Sequence, residues 1–225
     1  MSVDKPKPKR RRNQRRMELI KAAIIVTLIG LVLRIFVFMP YKIKNVNMEN
    51  TLYEGDFLLT SQLAYRTGTP QPGDLIVFNH PFKVDEATVG RVVAIEGQTV
   101  EIVDKVVYVD SQAIENSANV KYVDNKIIPP VYSNRDYVEA TQVPAGAVYV
   151  LSDNRDDGED SRNFGFINTD SIKGKGLFVY WSWQPDPNAP VMESPYITPA
   201  ISILLYNLVH FPSRIGWDRI GAGIS

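Results

Sequence analysis

The stretch VGRVVAIEGQTVEIVDKVVYV, residues 89–109, decides the fold class of this 225-residue chain. It contains three short runs rich in Val and Ile, at Val89–Ile95, Thr99–Val103 and Val106–Val109. Runs of this length and composition are typical of β-strands. The dipeptide Asp104-Lys105 between the last two runs predicts a tight hairpin. This part of the chain is therefore predicted to be antiparallel β-structure.

Similar runs occur on both sides of this stretch. They are Asp56–Thr60, Asp74–Phe78, Val148–Ser152 and Leu177–Trp183. Pro70-Gln71-Pro72-Gly73 and Pro129-Pro130 mark loops, and Thr169–Lys173 is expected to form one helical turn capped by Asn168. No part of residues 41–225 shows a long helical period, and there is no internal repeat. We therefore predict a mainly β fold of short antiparallel strands.

Charge is unevenly distributed, although the chain has 25 basic and 25 acidic residues. Up to Pro40 there are ten Lys or Arg and two acidic residues, so the remainder holds 15 basic and 23 acidic residues. An acidic body of this kind argues against nucleic acid as its partner. The absence of cysteine excludes disulfide and thiol chemistry and permits an extracytoplasmic location.

A membrane anchor is predicted near the N-terminus. The 18 residues Ala22–Met39 are apolar apart from Thr27, Gly30 and Arg34. A helix of this length measures about 27 Å, close to the thickness of a hydrocarbon core. The basic run Lys5–Arg16 precedes it, so the N-terminus is expected to stay in the cytoplasm. No small residues suited to signal-peptide cleavage follow the span, which favours an uncleaved anchor.

These patterns divide the chain into three parts. Residues 1–16 form a basic cytoplasmic arm, residues 17–40 the transmembrane anchor, and residues 41–225 an extracytoplasmic β-rich domain at the periplasm or cell surface. Within that domain, residues 110–145 are polar and weakly patterned, which favours an inserted loop or small subdomain. Near the C-terminus, the mainly apolar stretch Ile201–Leu208 is eight residues long, which is too short to span a bilayer.

Three segments of the body have a specific pattern. They are YKIKNVNMENTLYEGDFLLT (41–60), GDLIVFNHP with VGRVVAIEGQTV (73–100), and LSDNRDDGEDSRNFGFI (151–167). With the anchor, their order and spacing resemble the type I (leader) signal peptidase family over residues 20–183. The resemblance implies a membrane-anchored, β-rich serine endopeptidase that removes signal peptides from exported preproteins. Its mechanism would use a Ser–Lys dyad in which a neutral lysine is the general base.

The resemblance also identifies the positions of the reactive groups, and none of them holds the family's residue. Asn47 stands at the nucleophile position, and Asn45 stands at the oxyanion-side position. Gly90 stands at the base position, Gly158 replaces a serine that contacts the base, and Asn50 replaces a proline. The residues that still match around them are Met48, Thr51, Leu52, Arg91, Val92 and Val93.

The chain is therefore predicted to lack a working dyad. An Asn carboxamide is a poor nucleophile because its lone pair is delocalised, and glycine supplies no base. Loss of dyad members typically reduces the rate by several orders of magnitude. His80 is interpreted as a partly exposed loop residue, and Ser61 has no base nearby in sequence. The departures at Asn45, Asn47, Gly90 and Gly158 occur together, which favours natural loss of catalysis.

The remaining scaffold is suited to binding. In the family an extended signal peptide pairs with a strand beside the nucleophile, and apolar pockets take its small side chains. The matching substrate-binding positions are Tyr41, Ile43, Met48, Leu52 and Val89. Alternatively, these residues only seat the loop on the sheet. Structural support is assigned to Arg91, Asp153, Arg155, Asp160, Ser161 and Arg162. Four of these, Asp153, Arg155, Asp160 and Arg162, carry opposite charges at close spacing and are expected to form a hydrogen-bonded lattice.

Other interpretations of the acidic stretch are weaker. A calcium loop beginning at Asp153 would need an acidic or amide side chain at 155 and Glu at 164, but Arg155 and Phe164 stand there. No metal site and no cofactor are predicted. Three hypotheses stay open: an inactive homologue that binds signal peptides or exported preproteins, an active peptidase with an unrecognised catalytic pair, and a membrane-anchored structural partner of secretion or surface-assembly proteins.

Overall fold

The computed structural model describes residues 8–83, 85–116, 118–191 and 197–224. Its strands are β1 (Phe38–Lys42), β2 (Asp56–Ser61), β3 (Leu75–Asn79), β4 (Ala87–Ile95), β5 (Thr99–Val103), β6 (Val106–Val109), β7 (Gln112–Ala113), β8 (Val138–Gln142), β9 (Ala147–Leu151), β10 (Ile167–Asn168) and β11 (Ile172–Ser182). Its helices are α1 (Pro8–Phe36), α2 (Ala64–Thr67), α3 (Ser161–Phe164) and α4 (Ile197–Arg214), with a 3₁₀ turn at Thr169–Ser171.

The strands form two antiparallel sheets. The larger sheet has the order β1-β2-β11-β3-β4-β9-β10, and the smaller has the order β7-β6-β5-β8. In the larger sheet Gly90 on β4 lies opposite Ile76, and its neighbour Arg91 lies opposite Leu151 on β9. The prediction of a mainly β, antiparallel fold is confirmed.

Both faces of the larger sheet are covered at its centre. Leu75 and Val77 of β3 pack with buried residues of the loop between β1 and β2, whereas Ile76 and Phe78 pack with β4 and β9 on the other face. Successive side chains of a strand point to opposite faces, so β3 is buried on both. This explains its continuous apolar run. A third cluster joins β4 and β9 to the smaller sheet.

The seven predicted strands all form, β5 and β6 with the predicted bounds and the other five with shifted ends. The largest shift is in β11, which begins at Ile172 and therefore shortens the helical turn predicted over Thr169–Lys173. Asn168 caps this turn as expected, because its side chain accepts a hydrogen bond from Asp170 N at 2.8 Å. In the β5–β6 hairpin, Asp104 and Lys105 have φ values of 50° and 69°. Positive φ at both residues is typical of a type I′ turn, and the predicted tight hairpin is confirmed.

Residues 110–145 contribute the two edges of the smaller sheet. β7 and β8 lie at its opposite ends, and most of the residues between them have no regular structure in the part that is described. Four of the five β8 residues are exposed, so the strand shows no alternation of apolar and polar side chains. This is why the sequence did not predict it.

The predicted anchor extends beyond the helix. Helix α1 ends at Phe36, and Phe38, Met39 and Pro40 belong to β1, where they pair with Ser61, Thr60 and Leu59 of β2. Proline is tolerated there because β1 is an edge strand. Within the described ranges, no helix has both the length and the hydropathy that crossing a membrane requires.

The prediction that the body lacks a long helix was also wrong. Helix α4 has 18 residues and includes the apolar run Ile201–Leu208. Several of its apolar side chains are exposed, including Leu204 and Leu208, so burial does not explain the helix. Contacts on its other side attach it to the body. The Tyr206 hydroxyl donates to Asp186 at 2.7 Å, and Phe211 contacts the ring of Trp183.

Candidate functional site

The loop between β1 and β2 contains the predicted nucleophile position. Its base is closed by hydrogen bonds from Ile43 N to Asp56 O at 2.8 Å and from Gly55 N to Ile43 O at 3.1 Å. Met48 and Leu52 are fully buried against the larger sheet and fasten the middle of the loop. Their burial explains why these two positions keep the family's apolar residues.

Asn50 has a backbone conformation that proline cannot adopt. Its φ is 83°, in the left-handed region, where Asn is one of the few non-glycine residues commonly found. Proline restricts φ to about −65°. The loop therefore follows a different course at this residue from one that contains the family's proline.

Asn47 is tied to the acidic loop that follows β9. Its side chain is largely buried, and Nδ2 donates to the carbonyl oxygen of Glu159 at 3.3 Å. Its own carbonyl oxygen accepts from Asn154 N at 2.9 Å. Its backbone N–H points to Oδ1 of Asn45 at 3.4 Å. Asn47 is thus bonded to the neighbouring loop and its backbone N–H faces Asn45, and neither of these two side chains carries a hydroxyl.

Gly90, the predicted base position, faces apolar side chains. A Cβ added there would lie 3.3 Å from Cβ and Cγ2 of Val150 and 3.4 Å from Cε1 of Phe78. These contacts are tight but involve side chains that can shift slightly. An amine introduced at this position would lie in apolar surroundings, which favour its neutral form.

Gly158, the predicted partner of the base, has no room for a side chain. A Cβ added there would overlap Cβ and Oγ of Ser152 and lie 2.7 Å from the carbonyl oxygen of Asn154. Ser152 lies directly after β9, and its hydroxyl donates to Glu159 O at 3.3 Å. A serine hydroxyl is therefore present beside Gly158, although it comes from a different position in the chain.

His80 is more buried than the sequence predicted. It is 9% exposed, and its Nε2 lies 3.4 Å from Oε2 of Glu159. Phe82 N donates to Nδ1 at 3.2 Å, so the N–H of the neutral ring is on Nε2 and faces Glu159. The same carboxylate pairs with Lys83 Nζ at 2.9 Å, and this hydrogen bond lowers the pKa of Glu159. The Phe164 ring packs against the imidazole in a T-shaped arrangement, with the ring centroids 5.6 Å apart.

The residues assigned to structural support are buried, but they form two separate ion pairs rather than one lattice. Asp153 accepts from Nε and Nη2 of Arg91 at 2.9 and 2.8 Å and from the Thr51 hydroxyl. Asp160 pairs with Arg162, Nη2 to Oδ2 at 2.7 Å, and caps helix α3.

Two further members of the predicted support set have other roles. The Ser161 hydroxyl accepts from Val150 N at 3.0 Å and so joins α3 to β9. Arg155 is 4% exposed and forms no ion pair within the described part of the chain.

Four of the five predicted substrate-binding side chains are at most 2% exposed. Ile43, Met48, Leu52 and Val89 belong to one core cluster, so in this conformation they seat the loop on the sheet. Tyr41 is half-buried, and its hydroxyl donates to the carbonyl oxygen of Ala87 at the start of β4. Burial, with a smaller contribution from Glu86, raises the pKa of Tyr41 to about 12.

The sequence missed Ser152, Glu159 and Lys83 as parts of this site. Ser152 was assigned only to a strand end, and an exposed acid and lysine give no signal in a single sequence. Among the described residues, no three His, Asp or Glu side chains are grouped to hold a metal ion.

Comparison with known proteins shows the family. The family model "Signal peptidase, peptidase S26" matches residues 16–181. A probable signal peptidase I-1 of Synechocystis is 34% identical over 171 residues, which are 73% of this chain and 82% of that protein. Signal peptidase I of Aquifex aeolicus is 27% identical over 89% of this chain and 97% of its own length. Signal peptidase I of Bacillus caldolyticus is 30% identical over 79% of this chain and 96% of its own length.

This chain belongs to the signal peptidase family, peptidase S26. Membership supports a signal peptidase-like function and implies exported preproteins that bear signal peptides as its substrate class.

Proposed function

We propose that this chain binds the signal peptides of exported preproteins without cleaving them. The observation that best supports inactivity is the hydrogen bond from Asn47 Nδ2 to Glu159 O, which makes the nucleophile position a structural tie. Gly90 adds to this, because the base position offers no proton acceptor and faces Val150 and Phe78. We further propose that the helical part of the predicted anchor, up to Phe36, holds the chain in the membrane, with the N-terminus in the cytoplasm and the body outside.

Cleavage and capture are measured separately on the full-length protein in detergent. A preprotein that an intact family member cleaves should stay uncleaved, whereas a fluorescent signal peptide should bind and a scrambled peptide should not. Tyr41→Ala should weaken capture, because Tyr41 lies on the edge strand β1 beside Ala87. Tyr132→Ala is the matched control, since Tyr132 is an aromatic residue that is 81% exposed in a loop.

A second candidate function is cleavage by another catalytic pair. Both Ser152 and His80 contact Glu159. Ser152 Oγ lies 3.3 Å from the carbonyl oxygen of Glu159, and His80 Nε2 lies 3.4 Å from its carboxylate. Ser61 is less suitable, because the lysine opposite it in β11, Lys175, forms an ion pair with Asp74 at 2.6 Å. Cleavage that persists in Asn47→Ala and is lost in both Ser152→Ala and His80→Ala would establish this function.

The remaining hypothesis is a structural partner of secretion or surface-assembly proteins. A folded protein that neither cleaves the preprotein nor captures the signal peptide would favour it.

The orientation of the chain in the membrane is tested by adding protease to spheroplasts that contain the full chain. Digestion should remove the body and spare the N-terminus, and complete protection of residues 41–225 would contradict the proposed topology.

A further inference from the structure

A cavity of about 370 Å³ lies away from the predicted dyad positions. The turn at Pro72-Gly73, the centre of β4 and residues 114–116 and 120 form its walls. Its volume is within the range of small-molecule sites in proteins.

Arg155 lines this cavity, as well as a smaller one that it shares with Tyr122 and Arg162, and it has no counterion among the described residues. Arg155 is 4% exposed, its Nε has no hydrogen-bond partner, and no carboxylate of the described residues lies within ion-pair distance. The other buried arginines differ, since Arg91 pairs with Asp153 and Arg162 with Asp160. Arg155 is thus a buried cation whose neighbouring acids are already engaged.

A buried and unpaired guanidinium is costly, because arginine does not lose its proton in proteins. Burial is the main cause that lowers the pKa of Arg155, and the positive charge of Arg162 adds to that lowering, whereas Tyr122, Asp160 and Asp153 oppose it. An anion that entered the cavity would relieve both effects. It would also find a planar fork of N–H donors, which matches the two oxygens of a carboxylate.

The other walls define the rest of the ligand. Arg91 also lines the cavity, but its donors already bind Asp153, Gly73 O and Ile224 O. Val92, Val93 and Ile114 supply an apolar wall, and the exposed Glu115 places a negative charge at the rim. One available cation beside apolar side chains suits a monoanion with a short aliphatic chain. A dianion such as phosphate would leave its second charge near Glu115.

We propose that this cavity is a binding site for an aliphatic carboxylate, held by the Arg155 guanidinium with its hydrocarbon part against β4. A small free acid and the C-terminal carboxylate of a peptide ending in an apolar residue share this chemistry. The site is independent of peptide capture at the Asn47 loop.

The test is calorimetry on the full-length protein in detergent, with four probes. These are sodium butyrate, a short peptide ending in valine as the free acid, the same peptide as the C-terminal amide, and inorganic phosphate. Butyrate or the peptide acid should bind, and the amide and phosphate should bind at least about tenfold more weakly, because only the monoanionic carboxylate matches the fork and the charge of the site. Binding of butyrate would identify the ligand as a small free acid, and binding of the peptide acid would identify it as the C-terminus of a peptide.

Two variants remove the site in different ways. Arg155→Lys keeps the charge but loses the planar fork, and Val120→Phe fills the cavity without changing its charge. Each should weaken binding by at least about tenfold. Val123→Phe is the control, since it adds the same ring at an exposed position nearby that does not line the cavity. Circular dichroism shows whether each variant is folded. If Arg155→Lys is unfolded, Val120→Phe still tests the site.

Three results would overturn the proposal. They are equal binding of the peptide acid and amide, binding of phosphate but not of butyrate or the peptide acid, and binding that survives Val120→Phe in a folded protein. Absence of binding by all four probes would overturn it as well.

Discussion

Ser152 occupies the space that a side chain on Gly158 would need, and its hydroxyl donates to the carbonyl oxygen of Glu159. Gly158 is the position where the family's pattern has a serine. The structure therefore places a hydroxyl in nearly the same space from the residue that follows β9. Because the two side chains would overlap, only one of these positions can hold a serine without a rearrangement of the backbone.

We expect Gly158→Ser to destabilise the fold by about 1–3 kcal/mol, the usual cost of overpacking a buried site. The double variant Ser152→Gly, Gly158→Ser should recover part of this loss. Recovery should be incomplete, because the Asn154 carbonyl also lies close to the added Cβ. The free energies of unfolding of the parent, the single variant and the double variant are measured by urea denaturation. The control is Gly223→Ala, where an added Cβ meets no atom within 4 Å, and an equal loss there would refute the explanation.

Asn50 should tolerate glycine but not proline. Its φ of 83° is accessible to glycine, whereas proline would force the backbone into another region. We expect Asn50→Pro to cost more than about 1 kcal/mol in unfolding free energy and Asn50→Gly to cost less. A proline variant as stable as the parent would show that the loop can adopt the other course.

Removal of one charge from the Arg91–Asp153 pair should be strongly destabilising. Both side chains are buried, with Nη2 of Arg91 2.8 Å from Oδ2 of Asp153. Asp153→Asn leaves an uncompensated guanidinium and should cost about 3–5 kcal/mol. Glu159→Gln breaks the ion pair between Glu159 and Lys83, in which both side chains are about half exposed. It should lower the free energy of unfolding by at most about 1 kcal/mol. The losses of unfolding free energy in Asp153→Asn and Glu159→Gln are measured by denaturant unfolding, and equal losses would contradict this account.

Asp156 should make stability depend on pH in the acid range. Burial tends to raise the pKa of Asp156. Hydrogen bonds from Asp124 N, Lys105 and Val123 N outweigh this effect and lower the pKa below its ordinary value of 3.8. A lowered pKa contributes stability above the unfolded-state value, and this contribution is lost as the pH falls through the folded-state value. Asp156→Asn should therefore be less stable at pH 7 and lose less stability than the parent between about pH 5 and pH 2. Parallel pH curves for the two proteins would contradict the prediction.

Restoration of the dyad should be non-additive. Asn47→Ser supplies a hydroxyl and Gly90→Lys a base in apolar surroundings, so neither alone should cleave a preprotein and the pair should cleave slowly. Adding Asn45→Ser removes the amide oxygen that faces the backbone N–H of residue 47. If that N–H is an oxyanion donor, its release should raise the rate by up to about 10²-fold.

The serine at 158 should increase the rate further only when Ser152→Gly accompanies it, since the two side chains overlap. Cleavage is measured by gel shift of the preprotein. A single variant at 47 or 90 that cleaves, or a folded full set that captures the signal peptide without cleaving, would contradict the proposed arrangement.

Much of the fold was predictable because its signals are local. The apolar run of β3 and the alternation along β5 and β6 can be read from neighbouring residues, as can the Asp104-Lys105 turn. Strand β8 and helix α4 were missed for the opposite reason. Exposed side chains give β8 no pattern, and α4 is attached by contacts such as Tyr206 with Asp186.

The sequence by itself predicted seven of the strands, the family's motifs, and Asn47 and Gly90 at the nucleophile and base positions that the resemblance implies, because residue identity and local spacing suffice for these. Only the tertiary structure decided what the replacements do. The tie from Asn47 to Glu159 joins residues 112 positions apart, and the Arg91–Asp153 pair joins residues 62 positions apart. Such contacts depend on how the strands are packed in space, and no local pattern in one sequence specifies which distant side chains will meet.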